Sequence, residues 1–128
     1  MGAVIEDRLP AEPKAPAQAR NLVRELELDD ETRQNVELIV SELVSNSVKH
    51  TGDGAQRMVR LKLECLPEGV QGEVCDDGGG FDWEPHDPQL SEPGGLGLMV
   101  VDHLAENWGI KQNSVSCVWF ECACSASD

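Results

Sequence analysis

The sequence predicts an α+β fold: a two-layer sandwich in which a mixed sheet carries its helices on one face. Three observations predict it. A long stretch of helical periodicity ends at His50, and two alternating stretches, residues 57–66 and 70–76, follow it. A glycine-rich segment then opens into a second helical stretch and two further alternating runs. The hairpin over residues 57–76 interrupts a pure strand–helix–strand order, so a wholly parallel sheet is excluded.

The elements follow in chain order. Residues 4–9 alternate weakly and read as an edge strand stopped by Pro10, and residues 11–16 read as a Pro/Ala linker. Residues 17–28 read as a helix with Ala19, Leu22, Val23 and Leu26 on one side, a side that suits either the core or a second protomer. Asp29 and Asp30 offer an N-cap and negative charge to the next helix, which runs to His50 and stops near Gly52. Pro67-Glu68-Gly69 forms the turn between the two hairpin strands. Residues 81–94 contain three prolines and no periodicity and read as a mobile loop. Residues 96–106 read as a short helix, and residues 108–111 and 115–122 as the last two strands, joined by Gln112-Asn113-Ser114.

A chain of 128 residues suits one domain, here 1–128. No apolar run approaches the roughly 20 residues that cross a bilayer. The first residues lack the basic-then-apolar layout of a secretory signal, so a cytoplasmic location is expected. A net charge of −14 opposes direct nucleic-acid binding and docking on anionic lipid, both of which need clustered cations. It suits solubility or a basic protein partner. The five cysteines, Cys65, Cys75, Cys117, Cys122 and Cys124, form no C-x-x-C pair, and His50, His86 and His103 add no zinc-like spacing. The expectation is reduced thiols, with neither a disulfide nor a structural metal.

The long helix carries the first group of candidate residues. At about 100° per residue, Glu42, Asn46, Lys49 and His50 fall on one arc, beside the apolar stripe of Val36, Val40, Leu43, Val44 and Val48. A polar cluster that borders the core stripe lies at a cleft edge. The Asn46 carboxamide oxygen is a hard ligand suited to Mg2+. Lys49 supplies a point charge for phosphates, and Glu42 can accept a proton from a hydroxyl or water.

Asp76 begins the second group. With Glu68-Gly69 as a two-residue hairpin loop, Leu63 falls opposite Val74, Cys65 opposite Gly72 and Leu61 opposite Asp76. Alternation then puts Asp76 on the face of Leu61, Leu63 and Val74, where a carboxylate needs a hydrogen-bond donor. Gly78 and Gly80 follow at D-x-G-x-G spacing and admit close approach of a ligand to the backbone, while Asp77 reads as solvent-facing. The third group is Gly94-Gly95-Leu96-Gly97-Leu98, where a loop opens into a helix whose free amides and dipole favour an anion. It follows a loop and lacks G-x-G-x-x-G, which separates it from a dinucleotide-binding fingerprint, and no G-K-[ST] occurs.

In this order, Glu42 to Thr51, Asp76 to Gly80 and Gly94 to Leu98 resemble the N, G1 and G2 boxes of the nucleotide-binding fold shared by gyrase B, histidine kinases and mismatch-repair ATPases. Within that superfamily the chain looks most like the stand-alone bacterial anti-sigma factor serine-kinase group, over nearly its whole length. The resemblance implies ATP held between the helical layer and a flexible lid at residues 81–94. It assigns Asn46 to Mg2+, Lys49 and His50 to the nucleotide site, Asp76 to the adenine amino group with Gly78 and Gly80 beside it, and Gly95, Leu96, Gly97 and Leu98 to the phosphates. Glu42 would be the base for transfer of the γ-phosphate to a Ser or Thr of a sigma or anti-anti-sigma-like partner, and a homodimer is implied as well.

Two departures shape the alternatives. The lid segment holds Asp82, Glu84, Asp87 and Glu92 and no Lys or Arg, so it brings no cation to a transferring phosphoryl group. Relatives carry Gly-x-Thr before the final Val-Trp, whereas this chain has Val115-Ser116-Cys117, and a thiol is a weak hydrogen-bonding group. Both favour a module that binds ATP as a switch ligand without catalysis. A detached histidine-kinase catalytic domain is a third reading, since Lys49-His50-Thr51 fits it nearly as well. The segment before the long helix is short for a phosphoacceptor hairpin, and Glu42 before Asn46 fits the serine-kinase group better.

Overall fold

A computed structural model describes residues 3–50, 58–76, 96–112 and 116–123. The weak alternation near the start becomes strand β1 (Ala3–Pro10), which pairs antiparallel with β2 (Met58–Leu66). It stands at the end of the sheet, where a closing proline costs no ladder hydrogen bond to a second neighbour.

Helix α1 spans Ala15–Val23, two residues earlier at its start than the sequence suggested and five earlier at its end. The start moves because Pro16 sits in the first turn, where its missing N–H is not needed. The end tightens into turns in which the Glu25 and Leu26 amides donate to the Leu22 and Val23 carbonyls, at 3.1 and 3.0 Å. Ala15, Ala19 and Val23 are fully buried within this one chain, so the apolar side of α1 faces the core. Across its polar side, Arg24 bonds Glu37 at 3.2 Å, and Arg33 reaches the same carboxylate at 3.6 Å.

Helix α2 spans Asp30–His50, as expected. Asp29 caps it: one carboxylate oxygen accepts the Thr32 amide at 3.0 Å and the other the Thr32 hydroxyl at 2.7 Å. Val36, Ile39, Val40, Leu43 and Val44 are fully buried, because α1 covers one flank of the helix and the sheet the other.

Strands β2 and β3 (Gly69–Asp76) form the hairpin, closed by Pro67 and Glu68 with Leu66 opposite Gly69. The register therefore differs by two residues from the expected one: Leu61 faces Val74, Leu63 faces Gly72 and Val59 faces Asp76. Gly69 stands in the ladder beside the neighbouring strand, where a Cβ would run into the Cys122 carbonyl, so a glycine suits this position. A slip of two keeps every side chain on its face, so the expected siding of Asp76 holds.

Helix α3 (Leu96–Leu104) packs on α2 and leads into β4 (Asn107–Gln112) and β5 (Ser116–Ala123). The strand order is β1-β2-β3-β5-β4, and each neighbouring pair is antiparallel. The parallel pair that a mixed sheet requires is thus not among them. Two hairpins, β2–β3 and β4–β5, meet through an antiparallel β3–β5 pairing. The helices lie against the face bearing Val59, Leu61, Leu63, Val70, Val74, Val118 and Phe120, all of them buried, and this is an α+β two-layer sandwich. The opposite face carries Arg60, Lys62, Glu64, Gln71, Glu73, Lys111, Trp119 and Glu121.

Candidate functional site

The candidate residues on α2 separate by burial. Glu42 is half-buried, while Asn46 is only 3% exposed. The expected position at a cleft edge thus suits the burial of Glu42, whereas Asn46 lies inside the surface of a helix that packs on β3 and β5. Lys49 and His50 continue the helix, and their side chains lie outside the described residues.

Asp76 closes β3 and is fully buried. Its ladder neighbours are Val59 on one side and Ser116 on the other. It shares the helix-facing side with Val74, so a carboxylate ends a row of aliphatic side chains. A carboxylate there accepts hydrogen bonds, which is the chemistry that recognition of an amino group needs. Asp77, Gly78, Gly80 and Gly95 lie outside the described residues, as does the 81–94 segment.

The backbone of Leu96, Gly97 and Leu98 forms the first turn of α3. Amides in a first turn have no carbonyl one turn back to accept them, and no acidic side chain stands in this turn to take them up. The side chains of Leu96 and Leu98 are outside the described residues. The structure thus provides a buried carboxylate at the end of β3, a buried carboxamide on α2 and the first turn of α3, with α2 packed on both of the other elements. An amino group, a hard cation and an anion are the three things these groups accept.

Two features were missed in the sequence. Ser47, next to Asn46, is fully buried, and its Oγ has no hydrogen-bond partner among the described residues. On the helical wheel it falls within the apolar arc, so a hydroxyl among valines and leucines was the available signal.

The second is a disulfide between Cys75 and Cys117, which overturns the expectation of reduced thiols throughout. The two residues face each other across β3 and β5, with Cα atoms 4.0 Å apart. Side chains alternate along each strand, so both sulfurs lie on the sheet face away from α2, opposite to Asp76 and Val118. Cys117 therefore does not stand in for a threonine on the inner face. Ser116, the ladder partner of Asp76, occupies the rung at that edge. Glu73 joins the two cysteines in a group whose ligand atoms lie within 4.8 Å of one another, although the disulfide uses both sulfurs.

The sequence profile of the histidine kinase-like ATPase domain matches residues 9–121, and the chain belongs to that family. No curated protein matches it in sequence. Among solved structures it resembles the RsbU and RsbW domains of Rv1364c from Mycobacterium tuberculosis, at 17% identity and a TM-score of 0.70, over 98% of this chain and 33% of that one. It also resembles the histidine kinase domain of the blue-light-activated histidine kinase EL346 from Erythrobacter litoralis, at 18% identity and a TM-score of 0.60, covering 91% of this chain and 62% of that one. The Acinetobacter baumannii histidine kinase AdeS matches at 14% identity and a TM-score of 0.52, over 97% and 70% of the two chains. The chain thus spans about a third of the solved Mycobacterium chain. Among the described residues, no helix is long and apolar enough to cross a membrane.

Proposed function

We propose that the chain binds ATP with Mg2+ and acts as a cytoplasmic regulator of the anti-sigma type, passing a phosphoryl group to a Ser or Thr of a sigma or anti-anti-sigma-like protein. The observation that carries the reading is Asp76: a fully buried carboxylate at the end of β3, on the sheet face that α2 covers. In this reading Asp76 accepts a hydrogen bond from the adenine amino group, with Gly78 and Gly80 beside the base. Asn46 offers its carboxamide oxygen to Mg2+, Lys49 and His50 line the site, and the amides of Gly95, Leu96, Gly97 and Leu98 face the phosphates. Bound MgATP supplies the transferable phosphoryl group. Glu42 holds the proton of the partner's hydroxyl, a task that its half-buried position at the helix edge suits. The RsbW domain in the similar Mycobacterium structure supports the choice of partner class, and a homodimer belongs to the same proposal.

A second reading keeps the nucleotide and drops the transfer, so that ATP orders a protein-binding surface. The acidic 81–94 segment, which brings no cation to a transferring phosphoryl group, favours it.

Calorimetric titration of ATP, with and without Mg2+, tests the site. Wild type should bind, Asp76→Asn should bind about tenfold more weakly or worse, and Asn46→Ala should lose the Mg2+ dependence. A folded wild-type protein that takes up no ATP would overturn the proposal. Transfer of labelled phosphate to a partner separates the two readings.

A further inference from the structure

The Cys75–Cys117 disulfide lies one rung from the residue on which nucleotide recognition is proposed to turn. It joins β3 to β5 at the pair adjoining Asp76–Ser116, which is the last rung of that ladder. Both residues are buried, and Cys117, 5% exposed against 1% for Cys75, is the more accessible of the two. Its surroundings on the outer face are polar. Arg60 Nη2 lies 3.5 Å from Cys75 Sγ, Lys111 is the ladder neighbour of Cys117, and Lys111 pairs with Glu73 at 3.5 Å. Among the described residues, the two cysteines outside the disulfide, Cys65 and Cys122, flank Val70 on the inner face, so the sheet separates them from this bond.

We propose that Cys75 and Cys117 form a reversible thiol–disulfide site that sets nucleotide affinity, high when the bond is closed and lower when it is open. This rests on the ATP-binding reading above. The co-reactant is a small-molecule thiol and its disulfide. A thiolate RS− attacks Cys117 Sγ, the Cys75–Cys117 bond breaks, and Cys75 Sγ leaves with the electron pair as a thiolate beside the Arg60 guanidinium, a cation that favours this leaving group. A second RS− attacks the outer sulfur of the mixed disulfide, releasing RSSR and the Cys117 thiolate, and both thiolates take protons from solvent. In sum the protein disulfide and 2 RSH give two thiols and RSSR, and the reverse reaction closes the bond.

Coupling to the site follows from packing. Opening the bond replaces one shared S–S contact with two separate thiols at a buried position, and interiors at native density do not absorb added volume without movement. The movement falls on the two strand ends held by the bond, and so on Asp76 and Ser116. A closed bond instead fixes that rung covalently. In a reducing compartment a disulfide that forms at all is regulatory or catalytic in character, which fits a reversible role.

The test uses the full chain, equilibrated with oxidised or reduced glutathione. Maleimide labelling read by mass reports whether Cys75 and Cys117 are joined, and Mg2+-ATP is titrated into each form. The closed form should bind roughly fivefold or more tightly than the open form. The Cys75→Ser/Cys117→Ser protein should bind like the open form and ignore the glutathione ratio. Equal affinities of verified closed and open forms would overturn the switch and leave the ATP site standing, as would thiols that stay fully labelled under oxidised glutathione. Absence of ATP binding in both forms would remove the nucleotide site and the switch with it, while labelling still reports whether the disulfide exists.

Discussion

The Phe120 ring covers the α-carbon of Gly72 on the helix-facing side of the sheet, in the space where a side chain at Gly72 would stand. Both residues are buried and directly opposed in the β3–β5 ladder. One strand back, the Trp119 indole covers Gly109 of β4 in the same way on the outer face. Successive aromatic residues of β5 thus each rest on a glycine, one per face.

Gly72→Ala forces a methyl group into the Phe120 ring and should destabilise the fold by about 1–3 kcal/mol. Urea denaturation measures this. The same change in a Phe120→Leu background should cost less than in wild type, since the obstructing ring is gone.

Ser47→Ala should leave the nucleotide-free protein as stable as wild type or more so. A buried hydroxyl without a partner is a cost of about 1–3 kcal/mol that the methyl group does not carry. A thermal melt that falls by several degrees would show that Ser47 is bonded through a water that the alanine cannot replace.

Asp29→Ala removes both the amide and the hydroxyl contact at the start of α2 and should cost about 1 kcal/mol. Asp29→Ser should recover most of it, because a serine oxygen also accepts the Thr32 amide. Chemical denaturation of the three proteins gives the comparison.

Glu42→Gln should leave ATP affinity within about twofold while lowering phosphate transfer to the partner by about 100-fold or more. Calorimetry and a transfer assay on the same preparation check the two halves. Parallel loss of both would mean that Glu42 shapes the site and does not handle the proton.

Much of this architecture was legible because it rests on local periodicity. α2 could be bounded at both ends from its capping aspartate and the nearby glycine, and Asp76 could be sided from alternation alone. What the sequence withheld is the set of relations between distant strands. The hairpin register differs by two from the expected one, and Gly69 stands against Cys122, on a strand far along the chain. Cys75 and Cys117 are 42 residues apart, and nothing local states that β3 and β5 are neighbours. Had that adjacency been known, parity would have placed both sulfurs on one face. The antiparallel β3–β5 junction escaped notice for the same reason, since strand direction across a long connection is a property of the whole sheet.

The pairing of β1 with β2 bears on how the chain is made. Ala3 lies opposite Cys65, so β1 leaves the ribosome before both α1 and α2 and meets β2, its neighbour among the described residues, only after they have been synthesised. Until then its backbone amides and carbonyls have no sheet to join, and exposed Val4 travels with them. Closing so long a loop is slow compared with helix formation, so the α1–α2 pair should assemble first and β1 should dock late onto a preformed β2 edge. Strand β1 is therefore open to capture by chaperones, or by another nascent copy, during synthesis.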